Sequence, residues 1–288
     1  MNFNFDLCRR CYCYRPTLLS IAYRMTGEVM VSEDIVQETF LKWMNRSEEM
    51  IQDDKAYLAK SVINASLNHL AKVKREREAY KGPWLPEPIL ADSYAIDAKL
   101  DISYGFMLLL EKLAPLERAV FVLKESFDFD YAELAQLFDT TEANGRQLYH
   151  RAKEKISGAR RRFTIDPPQQ QLLLEAFAQA SETGNIDVLI QLFKSDIELY
   201  SDGGGKVIAA LKPLFGSAIA AQFMRSIVSQ QRDLLDARPA LVNGELAILF
   251  TQKDNQMLNT VMIIELDEAG ISRIYFVRNP DKLVHMQN

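Results

Sequence analysis

Residues 131–156 read YAELAQLFDTTEANGRQLYHRAKEKI. Leu134, Ala135 and Phe138 give the first part an apolar helical face, Asp139 and Thr140 supply a turn, and Thr141 is placed to cap a second helix. Two short helices joined by a four-residue step have helix-turn-helix spacing. In the second helix Leu148, Ala152 and Ile156 recur at i, i+4 and i+8, an inward stripe that turns Ala143, Arg146, Gln147, His150 and Lys153 outward. Arginine can pair with the guanine edge and glutamine with the adenine edge in a major groove, so this face suits DNA reading. A plain helical hairpin with a wet face has the same pattern, and the flanking sequence must separate the two.

The flanks are basic where the argument needs them. Residues 141–165 hold seven Lys/Arg against two Glu, and residues 72–81 hold five against two acids. The whole chain carries a net charge of −5, with 24 basic and 24 acidic residues up to residue 165 and 10 against 15 beyond it. Phosphate binding depends on where cations cluster, so a mildly acidic chain is compatible with a nucleic-acid partner.

Upstream, Ser32 is placed to cap a helix, with Glu33 and Asp34 in its first turn and Val36, Phe40 and Trp43 on its apolar side. Asp34, Gln37, Glu38 and Leu41 line the opposite side at i, i+3, i+4 and i+7, an acidic face around one apolar residue that fits a basic partner. Helical periodicity covers 17–45 and 54–80, and GPWLPEP at 82–88 interrupts it with three prolines. Helices resume at 100–113, 115–126, 131–138 and 141–162, and Pro167-Pro168 closes the block. Two short helical patterns at 170–181 and 186–193 then precede strand-like runs at 197–200, 246–251, 258–266 and 271–277. The fold class expected is multidomain: two all-α domains, the second with the helix-turn-helix, followed by an α+β domain.

The chain's 288 residues exceed what one small core organises. No apolar run reaches the roughly 20 residues of a bilayer helix, and the N-terminus lacks a secretory pattern, so a cytoplasmic protein without membrane contact is expected. Three cysteines, Cys8, Cys11 and Cys13, fit a reducing compartment better than a disulfide framework. His69 has no spacing relation to them that recommends a zinc site, so neither metal nor cofactor is expected.

These strings resemble a known family. LLSIAYRMTG at 18–27 and SEDIVQETFLKW at 32–43 look like sigma domain 2 of extracytoplasmic-function RNA polymerase sigma factors, and LAPLERAVF at 113–121 with the helix-turn-helix looks like sigma domain 4. GPWLPEP, then DGGGKV at 202–207 and NPDKL at 279–283, are similar to the SigJ-type subgroup, which carries a SnoaL-like C-terminal domain, a cone-shaped α+β fold with a curved antiparallel sheet. The boundaries implied are domain 2 at 1–81, a linker at 82–104, domain 4 at 105–165 and the SnoaL-like regulatory domain at 166–288.

The resemblance implies promoter-specific transcription initiation, with no chemistry on a substrate. Its partners are bacterial RNA polymerase core, through the β′ clamp helices and β flap, and promoter DNA. Asp34, Gln37, Glu38 and Leu41 match the core-docking surface. Asn64, Asn68, Lys72, Lys74 and Arg75 lie on the helix that opens the −10 element, and Arg146, Gln147, His150, Arg151 and Lys153 on the one that reads the −35 element. Trp84, Leu85 and Pro86 of the linker are expected to pack near Asp202, Gly203, Gly204 and Lys206 and near Asn279, Pro280, Asp281 and Lys282, restraining the spacing of the sigma domains. A monomer is expected, because two different elements are read by two different domains.

Departures from the family are Asn68 and Ala71 where Asp and Arg are usual, Gly145 where Val is preferred, and Asp139 where Gly is frequent. Gly145 lowers helix propensity by roughly 1 kcal/mol, which makes an α-helix ordered only on DNA an expectation. SnoaL-like folds also include cyclases and isomerases with a buried carboxylate base, for which Asp202 and Asp236 are the candidates, and a pocket for a small ligand without turnover is a further option. Asp202 beside three glycines reads instead as a docking turn. A ligand-sensing helix-turn-helix regulator shares every feature except the acidic face at 34–41.

Overall fold

A computed structural model describes residues 12–45, 53–90, 93–94, 102–157, 172–176, 183 and 185–287. The helical run at 17–45 is two helices, α1 (Arg15–Thr26) and α2 (Val29–Met44). Gly27 parts them at φ 71°, its N–H donating to Tyr23 O at 2.7 Å in a left-handed cap. Ser32 does not cap α2. It lies inside the helix, buried, and its hydroxyl donates to Glu28 O at 2.6 Å, while Glu28 holds the N-cap position. Val29, Met30 and Val31 already extend the helix upstream of the acid-rich turn that suggested a start at Ser32.

α3 (Asp54–Glu78) buries Leu58, Ala59, Val62, Ile63, Ser66 and Leu70, a single stripe at helical spacing. α4 (Tyr104–Glu111) and α5 (Pro115–Phe127) follow, and Ala119 to Leu123 of α5 are fully buried. α6 (Tyr131–Leu137) and α7 (Glu142–Ser157) form the helix-turn-helix. Asp139 adopts φ 49° in the turn, a conformation aspartate tolerates, and Thr141 Oγ1 accepts from Asn144 N at 3.2 Å. Of the expected inward stripe, Ala152 and Ile156 are buried and Leu148 is half-buried. α1 packs against α2, α3 and α5 at the centre of this helical unit, which comprises Met1–Glu78 and Tyr94–Arg160.

The second unit comprises Ala79–Ser93 and Arg161–Asn288. Of the expected helix at 170–181, residues 172–176 are helical and the rest lies outside the described residues, as do Pro167-Pro168. α8 is Asp187–Gln191, and Phe193, expected in that helix, opens β1 (Phe193–Asp202). β2 (Leu214–Phe215), α9 (Ser217–Gln231), β3 (Leu235–Val242), β4 (Glu245–Gln252), β5 (Leu258–Asp267) and β6 (Gly270–Val277) complete the domain. The sheet order is β2-β1-β6-β5-β4-β3. The expectation of an antiparallel sheet is corrected at one pair: β1 and β6 run parallel. Parallel neighbours need a crossover, and the connection through α9 and the β3–β6 meander supplies it. Ile197, Leu199, Met224, Ile248, Ile264 and Phe276 belong to the core between the sheet and its helices.

Among the described residues no helix is long and apolar enough to cross a membrane, and no three His, Cys, Asp or Glu side chains converge on a metal-sized site. Cys13 is exposed, and Cys8 and Cys11 lie outside the described residues.

Candidate functional site

Three helical faces carry the residues singled out in the helical unit. On α2, Asp34, Gln37, Glu38 and Leu41 are all exposed, and Ile35, Val36, Thr39, Phe40 and Trp43 are buried behind them. Leu41 stays 55% exposed amid acids, with Glu38 paired to Lys42 at 3.6 Å along the same helix. An exposed i,i+4 pair of this kind stabilises by a few tenths of a kcal/mol, so it yields readily to a partner's cation.

On α3, Asn64, Asn68, Lys72 and Arg75 follow one another at i, i+4, i+8 and i+11 and are exposed, with Ala71 and Lys74 exposed beside them. Lys74 reaches Glu78 at 3.9 Å. On α7, Arg146, Gln147, His150, Arg151 and Lys153 are exposed. Arg146 pairs with Glu142 at 3.0 Å and lies 5.2 Å from the Tyr131 ring, His150 lies 3.6 Å from Glu154, and Lys153 stands 5.4 Å from the Tyr149 ring. The arginines and lysines of these faces have weak local partners that phosphate oxygens can replace.

Gly145 lies inside α7 and is buried there. A Cβ added there meets Tyr131 Cδ1 at 3.8 Å and Tyr131 O at 4.0 Å, ordinary van der Waals separations. Gly145→Ala is therefore expected to stabilise the helical unit by about 0.5–1 kcal/mol, because it removes backbone entropy at no steric cost. A lower urea midpoint for this variant would show that the glycine is needed for packing.

An ion network ties α1 and α3 to α4 and α5 within the same unit. Arg118, with 4% of its side chain exposed, donates to Met25 O at 2.7 Å and Glu111 Oε1 at 2.6 Å. Arg77 bridges Glu28 Oε1 at 2.6 Å, Glu111 Oε2 at 2.9 Å and Thr26 O at 2.5 Å. Burial pushes the Glu28 carboxyl up, but hydrogen bonds from His69 and Arg77 outweigh it and hold the group below its ordinary 4.5. A depressed carboxyl stabilises the fold fully above its unfolded value and loses that contribution as pH falls through the folded one. The stability difference between wild type and Glu28→Gln is accordingly expected to be largest at neutral pH and to shrink below 4.5. A pH-independent difference in urea unfolding would contradict this.

The motif residues of the second unit meet around Asp202. It is the last residue of β1 and wholly buried, in contrast to a residue of an open turn. Its Oδ1 accepts from Tyr80 OH at 2.6 Å and Gly204 N at 3.0 Å, and its Oδ2 from Leu85 N at 2.9 Å and Lys282 Nζ at 2.7 Å. Lys282 also donates to Leu85 O, and its ammonium lies 4.0 Å from the Trp84 ring and 4.9 Å from that of Tyr80. Asn279 Nδ2 donates to Tyr80 OH at 2.9 Å. Burial and the adjoining Asp202 carboxylate push the Tyr80 phenol well above its ordinary value, so it remains a donor. Gly204, at φ 60°, lies so close to Asn279 that a Cβ would come within 2.4 Å of its amide, and a Cβ on Gly203 would come within 2.5 Å of Val207 O. Lys206 and Asp281 pair at 2.5 Å on the exposed side. Pro86 is buried in the segment, and Pro280 opens the 3-10 turn Pro280–Lys282.

Two further anchors were not among the residues read from the sequence. Asn243, in the β3–β4 turn, accepts from Ile89 N through Oδ1 at 2.9 Å and donates its own N–H to Ile89 O at 2.8 Å. His285 Nε2 meets Pro88 O at 2.7 Å. Together with Tyr80, they fix residues 80–89 at both ends. Asp236, the other candidate acid, is exposed on the edge strand β3.

The model of sigma-70 region 2 matches residues 12–76, and that of sigma-70 region 4 matches residues 105–156. The ECF RNA polymerase sigma factor SigJ of Mycobacterium tuberculosis is 32% identical over 282 residues, covering 93% of this chain and 90% of that protein. A sequence named "Probable ECF RNA polymerase sigma factor SigI" from the same organism is 27% identical over 278 residues, covering 94% and 92%. The crystal structure of SigJ superposes with a TM-score of 0.76 at 29% identity, covering 96% of this chain and 98% of that one. With both sigma regions matched and the likeness to SigJ running through the C-terminal unit as well, the chain belongs to the extracytoplasmic-function family of RNA polymerase sigma factors.

Proposed function

We propose that the C-terminal unit modulates promoter-specific initiation by holding the segment that joins the two promoter-reading regions. In this reading residues 1–81 act as sigma domain 2 and 105–165 as sigma domain 4. Asp34, Gln37, Glu38 and Leu41 dock on core polymerase, Asn64, Asn68, Lys72, Lys74 and Arg75 engage the −10 element, and Arg146, Gln147, His150, Arg151 and Lys153 read the −35 element. The exposure of all three faces supports these roles.

The observation that carries the regulatory half is the buried Asp202–Lys282 pair closed over Trp84 and Leu85. Residues 79–93 lie in sequence between α3 and α4, yet they fold as part of the C-terminal unit. A linker held this way cannot use its full extended reach of roughly 3.3–3.6 Å per residue. Loosening it changes which spacings between the two readers are accessible.

Transcription in vitro with bacterial core polymerase, on the promoter upstream of the chain's own gene, tests the proposal. Transcripts are expected only when the protein is added, and their yield should change when Lys282→Met, which leaves Asp202 buried without its cation, is introduced. Unchanged yield and start site with the segment demonstrably released would remove the regulatory role.

A further inference from the structure

The C-terminal unit has an open-mouthed cavity of about 600 Å³, a volume in the range of small-molecule sites. Leu189, Met224, Ile227, Phe250 and Phe276 supply apolar walls from α8, α9, β4 and β6. Arg278, one residue beyond β6, supplies a cation. Its guanidinium donates to Ile208 O, a neutral acceptor, and among the described residues no carboxylate pairs with it. Burial alone pushes it below the ordinary arginine value.

Other partly buried cations of this unit are matched. Arg273, on β6, is held by Glu198 at 3.2 Å and Glu265 at 2.7 Å, and Lys194 is held by Asp267 at 2.5 Å. Arg278 instead faces an apolar chamber. A desolvated guanidinium without a counter-anion is costly, and a ligand carboxylate would relieve that cost through two parallel hydrogen bonds. The remaining charges on the lining, Arg232, Asp233, Asp236 and Lys253, are exposed and evenly divided in sign, so they do not set the preference.

We infer that this cavity binds an amphipathic small-molecule acid, its apolar body among the walls named above and its carboxylate on Arg278. The site also touches the segment-holding cluster through backbone hydrogen bonds: the N–H groups of Arg278 and Asn279 donate to Asp202 O at 2.8 and 2.9 Å. Binding itself does not depend on the regulatory reading, and its failure would leave that reading standing.

Isothermal titration of the full-length protein with decanoate and 2-naphthoate, each against its primary amide, tests the inference. At least one acid is expected to bind roughly tenfold or more tightly than its amide, the worth of a charge-assisted hydrogen bond. Arg278→Gln should abolish that preference while sparing the amide's affinity, and Ile227→Trp, which fills the chamber, should weaken both. Acids binding no more tightly than amides in the wild-type protein would overturn the inference, and this comparison needs no variant to fold. A preference that survives Arg278→Gln, or affinities left undiminished by Ile227→Trp, would overturn it as well.

Discussion

Replacing Lys282 by methionine is expected to destabilise the C-terminal unit by about 3–5 kcal/mol, the cost of leaving one partner of a buried ion pair uncompensated. Methionine retains much of the apolar stem, so the loss isolates the charge. Asp202 would remain buried with, among the described residues, the Tyr80 hydroxyl and the N–H groups of Leu85 and Gly204 as donors. The double variant Asp202→Asn, Lys282→Met should recover much of the loss, since neither charge is then buried. Trp84 lies on the lysine and the chain has two tryptophans, so a Trp43→Phe background lets Trp84 fluorescence report on the segment during urea unfolding. A cost under about 1 kcal/mol would mean that the pair behaves as a hydrated surface bridge. Release should also expose residues 80–90 to protease, and Trp84→Ala is expected to act in the same direction through loss of the cation–π contact. If Trp84→Ala leaves both protease sensitivity and promoter activity unchanged, the proposed restraint through this packing fails.

Reversing Asp34 and Glu38 to lysine is expected to weaken binding to core polymerase by about 2–5 kcal/mol, roughly 30-fold to several thousand-fold. Both side chains are exposed, and among the described residues the fold loses only the weak Glu38–Lys42 pair, so the helical content of the variant should match wild type. Pull-down with core enzyme reads the effect. Undiminished binding would refute the docking assignment and leave Leu41 exposed without an explanation.

The helical faces were legible because amphipathic periodicity is local: a helix orients its side chains without reference to the rest of the chain. The acidic face on α2 and the outward residues of α7 therefore needed only their own helices. Strands β4, β5 and β6 were readable from their apolar runs. α9 went unread although Ala220, Met224, Ile227 and Val228 recur at helical spacing, and β3 is an exposed edge strand interrupted by Pro239. Asn243-Gly244, at φ 54° and 78°, is the hairpin signal that could have disclosed β3.

By itself, then, the amino-acid order determined the helix-turn-helix, the acidic face of α2 and the change from helices to sheet, all of which follow from contacts within a few turns or strands. It also displayed the WLPEP, DGGG and NPDK strings as separate motifs. Only the tertiary structure decided that Asp202 is buried instead of open to solvent, that Tyr80, Asn243 and His285 join the motif residues, and that β1 lies parallel to β6. The contacts concerned join Asp202 to Leu85 and Asn279 to Tyr80 across 117 and 199 positions. No local periodicity encodes such partners: they meet because pairing β6 with β1 brings the chain end onto Asp202, where the linker closes over both.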